Sequence, residues 1–131
     1  MVLQPSVYAN LLKEKLNRHQ AQCWLVNTGW GGGPFGVGKR ISIAHTRAII
    51  NAILGGRLKH VATKPDPIFG LHIPESCEGV PSEILIPRNT WKNPADYDTK
   101  ARDLAKRFEK NFETFSATVS QEVCTSGPRV S

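Results

Sequence analysis

Asn27-Thr28-Gly29-Trp30-Gly31-Gly32-Gly33-Pro34-Phe35-Gly36-Val37-Gly38-Lys39-Arg40-Ile41-Ser42-Ile43 places six glycines within ten residues, between a short apolar run and an apolar helix pattern. Glycine costs conformational entropy and is favoured where the backbone takes a positive φ or approaches another group closely. Such a density predicts a loop of defined shape: a long hairpin, or a cradle for an anion near Lys39-Arg40. Gly33 to Lys39 matches the phosphate-loop spacing G-x-x-x-x-G-K. Arg40, however, stands where a Ser or Thr hydroxyl would hold the magnesium of a nucleotide, and Pro34 removes one N–H from any cradle. Taken alone, the stretch reads as a glycine-rich hairpin.

On its N-terminal side, Cys23-Trp24-Leu25-Val26 has the length and composition of a buried strand. Before it, a helix pattern opens at Gln4-Pro5-Ser6, with Val7, Tyr8, Leu11, Leu12 and Leu16 roughly on one face. On the C-terminal side, Arg40 to Ile43 alternates as a short strand. A second helix is predicted to start at His45 or Thr46, to carry Ala48, Ile49, Ile50, Ala52, Ile53 and Leu54, and to stop at Gly55-Gly56. Lys39 and Arg40 thus stand one short strand from a helix N-terminus, where the dipole also favours an anion.

Residues 60–90 read as irregular, broken by five prolines, with Ile68 to Ile73 the one strand candidate among them. The last helix is the clearest element. Asn93 caps it, Pro94 suits its first turn, and Asp96 lies in that turn. Tyr97, Ala101, Leu104, Ala105, Phe108, Phe112 and Phe115 recur at helical spacing and predict a core-facing stripe. If the sheet it should cover is missing, Phe108, Phe112 and Phe115 become an exposed apolar patch. One further helical turn is expected after Ser116.

A chain of 131 residues with 40% hydrophobic content is long enough for a modest core and is not disordered by composition. No apolar run approaches the roughly 20 residues of a bilayer span, and the N-terminus lacks a secretory layout. The net charge of +6 is dispersed, with no polybasic block and no aromatic–basic motif, so it predicts a solvated surface and one anion site rather than nucleic-acid binding. Cys23, Cys77 and Cys124 are odd in number and far apart, which predicts reduced thiols of an intracellular protein. His19, His45, His60 and His72 lack metal-ligand spacing. The residues alone form no catalytic constellation.

Several phrases occur in a telling order: Trp24 to Trp30, Gly36 to Ile43, Thr46 to Ile50, Ile73-Pro74, Gly79-Val80-Pro81, and Leu85-Ile86-Pro87-Arg88-Asn89-Thr90-Trp91. The chain resembles, from Pro5 to Gly127-Pro128, the C-terminal part of ATP-dependent phosphoenolpyruvate carboxykinases. The resemblance implies a mixed α+β (α/β) fold: residues 1–131 as a single segment, part of the C-terminal lobe of a nucleotide-binding catalytic domain, with helices packed on a small sheet. It implies a cytoplasmic, gluconeogenic carboxy-lyase that converts oxaloacetate and ATP to phosphoenolpyruvate, carbon dioxide and ADP with magnesium and manganese ions. In this chain it implies an adenosine-side wall, with Arg40 and Ile41 beside the adenosine and the Thr46 hydroxyl meeting the adenine. A plain helix cap is the competing role for Thr46, and an exposed strand-end charge for Arg40. The family's phosphate loop, its metal-binding Lys, His and Asp and its oxaloacetate-binding Arg belong to upstream segments. No catalytic or metal-binding residue is therefore expected in this chain, and the missing upstream part is its expected partner. The alternative is a truncated, non-catalytic nucleotide-binding or interaction module.

Overall fold

The computed structural model describes residues 3–129. It is mixed α+β: helices alternate with two separate two-stranded antiparallel sheets. Helix α1 (Pro5–His19) starts on a proline, whose fixed φ and missing N–H suit a first turn. It ends at Gln20, in the left-handed region at φ 49°, whose N–H donates to the Leu16 carbonyl. Its apolar side chains Tyr8, Leu11 and Leu12 are exposed, and none of its residues is buried.

Cys23 to Val26 does not form the predicted strand. No strand pairs with it among the described residues, and Leu25 is 78% exposed. An apolar run becomes a buried strand only beside a sheet, and none borders it here. Strands β1 (Trp30–Gly31) and β2 (Lys39–Arg40) do form a hairpin, with Trp30 opposite Arg40 and Gly31 opposite Lys39. Of the expected strand from Arg40 to Ile43 only Arg40 lies in β2, because Ser42 already caps the next helix. Its hydroxyl accepts from the His45 N–H at 3.1 Å, and α2 (Ile43–Leu54) begins two or three residues earlier than the sequence suggested. Gly55 and Gly56 follow α2, as expected.

The predicted strand from Ile68 to Ile73 is corrected by its own flank. The Asp66 carboxylate accepts the N–H groups of Ile68 at 2.9 Å and Phe69 at 2.6 Å, so the apolar run is bent into a turn. That turn joins β3 (Thr63–Pro65) to β4 (His72–Pro74), and Lys64 stands opposite Ile73. A short helix α3 (Ser82–Leu85) and a 3-10 helix over Pro87–Thr90 then lead into α4 (Pro94–Phe112). The Asn93 side chain caps α4 through the Ala95 N–H at 3.1 Å. The tail holds a 3-10 turn over Ser116–Thr118 and the short α5 (Gln121–Cys124), where one further helical turn was expected.

The stripe of α4 is buried only in part. Ala105 is fully enclosed and Ala101 is buried, but Phe108 is 52% exposed and Phe112 and Phe115 are half-buried. Phe115 also lies beyond the helix. Two small cores result. Ala52, Leu58, Cys77 and Val80 form one, flanked by Trp24, Ile49 and Ile84. Ile68, Ala101 and Ala105 form the other, under Phe69 and Tyr97.

Arg88 binds Asp98 through two parallel bonds, Nε to Oδ1 at 2.8 Å and Nη2 to Oδ2 at 3.0 Å, tying the Pro87–Thr90 helix to α4. The hydrogen bonds from Arg88, then its charge, hold the Asp98 carboxyl below the usual range. A carboxyl depressed on folding stabilises the chain above its unfolded pKa, and that increment is lost as pH falls through the folded value. Urea unfolding should therefore show Asp98→Asn less stable than the parent at pH 7. The gap should close in acid, below the ordinary carboxylate range. A gap of constant size would assign the effect to packing rather than charge.

Candidate functional site

The hairpin is held open by its own hydrogen bonds. Val37 N–H and Gly38 N–H both donate to the Pro34 carbonyl at 3.0 Å, so two amides that would line a phosphate cradle are already used. Lys39 begins a strand, whereas the lysine of a phosphate loop opens a helix. The stretch is the glycine-rich hairpin, not a phosphate loop.

Two close approaches explain why glycine is needed there. A Cβ on Gly38 would lie 2.8 Å from the Gly33 carbonyl oxygen and 3.0 Å from that of Gly31. Gly32 has φ +80°, and a Cβ on it would lie 3.1 Å from the Thr90 carbonyl oxygen, so the hairpin leans on the Pro87–Thr90 helix through bare backbone. Phe35, at the turn, is 100% exposed.

Downstream of the turn, the Ile41 N–H donates to the Gly29 carbonyl at 2.9 Å and carries the ladder one residue past Arg40. Asn27 fixes the entry to this ladder. Its Oδ1 accepts from the Gly29 N–H at 2.9 Å and its Nδ2 donates to the Trp30 carbonyl at 3.4 Å. Sequence reading missed Asn27 as a positioning residue and Ser42 as the cap. The signals were present: Asn two residues before a glycine is an Asx-turn pattern, and Ser before an apolar helix is the common cap.

The three residues singled out in the sequence thus lie on one short path. Arg40 is exposed at the end of β2, Ile41 is half-buried, and Thr46 is half-buried in the first turns of α2. Because Ser42 is the cap, Thr46 is not. The hydroxyls of Thr90, Thr99 and Thr118 each donate to a carbonyl three or four residues back. The Thr46 hydroxyl makes no such bond, and the Arg40 guanidinium has no ion pair, among the described residues. In general a guanidinium can lie on a π face and a hydroxyl can bond a base edge.

Two clefts are present elsewhere. One, of about 560 Å³, lies between the hairpin and the start of α4, lined by Gly32, Val37, Trp91 and Lys100 among others. The second, of about 510 Å³, lies between β3 and the Arg88–Asp98 pair. Neither is lined by Arg40, Ile41 or Thr46. Among the described residues no three His, Cys, Asp or Glu side chains gather as a metal-holding group, and no helix is long and apolar enough to cross a membrane.

A family model described as phosphoenolpyruvate carboxykinase matches residues 1–83. The chain is 56% identical over 123 residues to the phosphoenolpyruvate carboxykinase (ATP) of Geotalea uraniireducens, covering 94% of this chain and 23% of that protein. It is 55% identical over 126 residues to the protein of the same name from Pelobacter propionicus, covering 96% and 24%. With phosphoenolpyruvate carboxykinase (ATP) 1 of Salinibacter ruber it shares 54% identity over 128 residues, covering 98% and 24%. The chain therefore spans about a quarter of the length of the curated relatives it matches.

Proposed function

This chain belongs to the phosphoenolpyruvate carboxykinase family, and from that premise we propose that it forms the adenosine-side wall of the ATP site in an ATP-dependent carboxykinase. In this reading residues 1–131 are a single segment, the C-terminal part of the nucleotide-binding and catalytic domain. The whole enzyme converts oxaloacetate and ATP to phosphoenolpyruvate, carbon dioxide and ADP in cytoplasmic gluconeogenesis. The upstream part of the enzyme is the partner that completes the site.

The observation that carries the reading is the short span from Arg40 to Thr46, with the hairpin ladder at one end and the α2 cap at the other. Both end residues keep polar groups unpartnered among the described residues. Arg40 would lay its guanidinium against the adenine face, Ile41 would pack beside the nucleoside, and Thr46 would offer its hydroxyl to the base edge. Phosphoryl transfer depends on metals and cations around the phosphates. The described residues do not fit magnesium or manganese, since no carboxylate or histidine group gathers to hold either, and no chemical step is assigned to this chain.

Arg40→Ala, in a complete enzyme carrying this segment, is expected to raise the KM for ATP roughly tenfold, about 1.4 kcal/mol, within the ~0.5–2 kcal/mol of a cation–π contact. The KM for oxaloacetate should not move. Equal losses for both substrates would sink the assignment. Tight ATP binding by the 131-residue chain alone would instead favour a nucleotide-binding module without catalysis.

A further inference from the structure

The second cleft lies outside the nucleotide wall, and its charges are poorly matched. Lys64 of β3, Arg102 of α4 and Arg129 of the tail line it with the Arg88–Asp98 pair and Asp66. Arg88 and Asp98 pair with each other, and one oxygen of Asp66, Oδ1, accepts two backbone N–H groups. Lys64, Arg102 and Arg129 form no ion pair among the described residues. The cleft is thus lined by four cationic side chains, Lys64, Arg88, Arg102 and Arg129, against two carboxylates, Asp66 and Asp98, and Asp98 also feels the charge of Arg102. Arg129 is placed there by its main chain, whose N–H donates to the Ile68 carbonyl at 2.7 Å. Apart from Asn89, the rest of the wall is apolar in its side chains, with Ile68, Ile73, Ile86 and the ring of Tyr97. Burial first, then the charges of Asp66 and Asp98, push the Tyr97 phenol up, so it remains a donor.

We propose that this cleft, independent of the ATP wall, is a second ligand site for a small organic oxyanion, a phosphate or carboxylate carried on an apolar body. Arg102 and Arg129 bind the charged oxygens in the planar, forked manner of guanidinium groups, and Lys64 adds a third charge. The isoleucine and tyrosine walls take the apolar body. A volume of about 510 Å³ suits a ligand of that size.

Phenyl phosphate and benzoate are the probes, with inorganic phosphate as the arm lacking an apolar body, titrated into the 131-residue chain by backbone amide NMR. Saturable shifts centred on Ile68, Ile73 and Tyr97 are expected, with phenyl phosphate at least tenfold tighter than inorganic phosphate. Whether phenyl phosphate or benzoate binds tighter tells which anion the site prefers. Arg102→Gln with Arg129→Gln should weaken the tighter probe tenfold or more, and the Arg129 main-chain bond does not depend on its side chain. Lys15→Gln with Arg18→Gln removes the same charge from α1, outside the cleft, and should change nothing. Equal weakening in both double variants would reduce the effect to general attraction by a basic chain. Shifts elsewhere, or no saturation, would also overturn the proposal. Should the first double variant misfold, Lys64→Gln on exposed β3 provides the same comparison.

Discussion

Leu58→Ala is expected to destabilise this chain by about 2–5 kcal/mol, the usual effect of truncating a buried leucine. Leu58 is 4% exposed, in a core whose other buried members are Ala52, Cys77 and Val80, all smaller. Domains of this size are held by roughly 5–15 kcal/mol, so the variant should sit near its unfolding transition at 37 °C. Cys77 supplies the readout. Burial raises its thiol pKa, against an opposing pull from Arg57, so it should alkylate slowly while exposed Cys23 reacts at once. In Leu58→Ala the Cys77 label should appear many times faster. Leu58→Met, which nearly conserves volume, should keep it slow. Cys77 reacting as fast in the parent as in urea would refute the packing described here.

Gly38→Ala is the second large effect. Its added Cβ meets two backbone oxygens across the hairpin, those of Gly33 at 2.8 Å and Gly31 at 3.0 Å, and neither can swing aside as a side chain would. Forcing the strands apart should cost about 1–3 kcal/mol, in the range of an overpacked site. The loss should also reach function. Arg40 and Ile41 hold their places through β2 and the Ile41–Gly29 bond, so a splayed hairpin should raise the KM for ATP in a complete enzyme. Gly127→Ala, with open space around its Cβ, should leave the melting temperature unchanged. A Gly38→Ala chain as stable as its parent would mean that the strands do not approach as closely as described.

The elements most legible in the sequence are those determined by nearby residues. Asn93-Pro94 marked the start of α4 because a side-chain cap and a fixed φ act within one turn. The glycine hairpin was legible because Pro34 and Arg40 argued against a phosphate loop, and the Pro34 carbonyl does occupy the would-be cradle amides. Errors fell where a distant partner decides. Cys23 to Val26 has strand composition, but composition cannot supply a neighbouring strand. Ile68 to Ile73 has strand composition too, and one carboxylate at Asp66 outweighed it by capturing two amides. The α4 stripe was correct in period, yet only Ala101 and Ala105 of it are buried. For the candidate site, Arg40, Ile41 and Thr46 came from the family resemblance. Local chemistry alone offered a helix cap for Thr46, and the structure gives that duty to Ser42.

The division of the buried residues into two groups bears on how the chain opens. The Leu58 group and the Ile68–Ala105 group share no residue, and each contains only three or four buried residues. Such units can come apart separately, each with its own opening free energy. Amide protons in the middle of α4 and those at the end of α2 should therefore exchange with solvent at different rates and respond differently to mild denaturant. Leu58→Ala should speed exchange at the end of α2 while sparing the middle of α4.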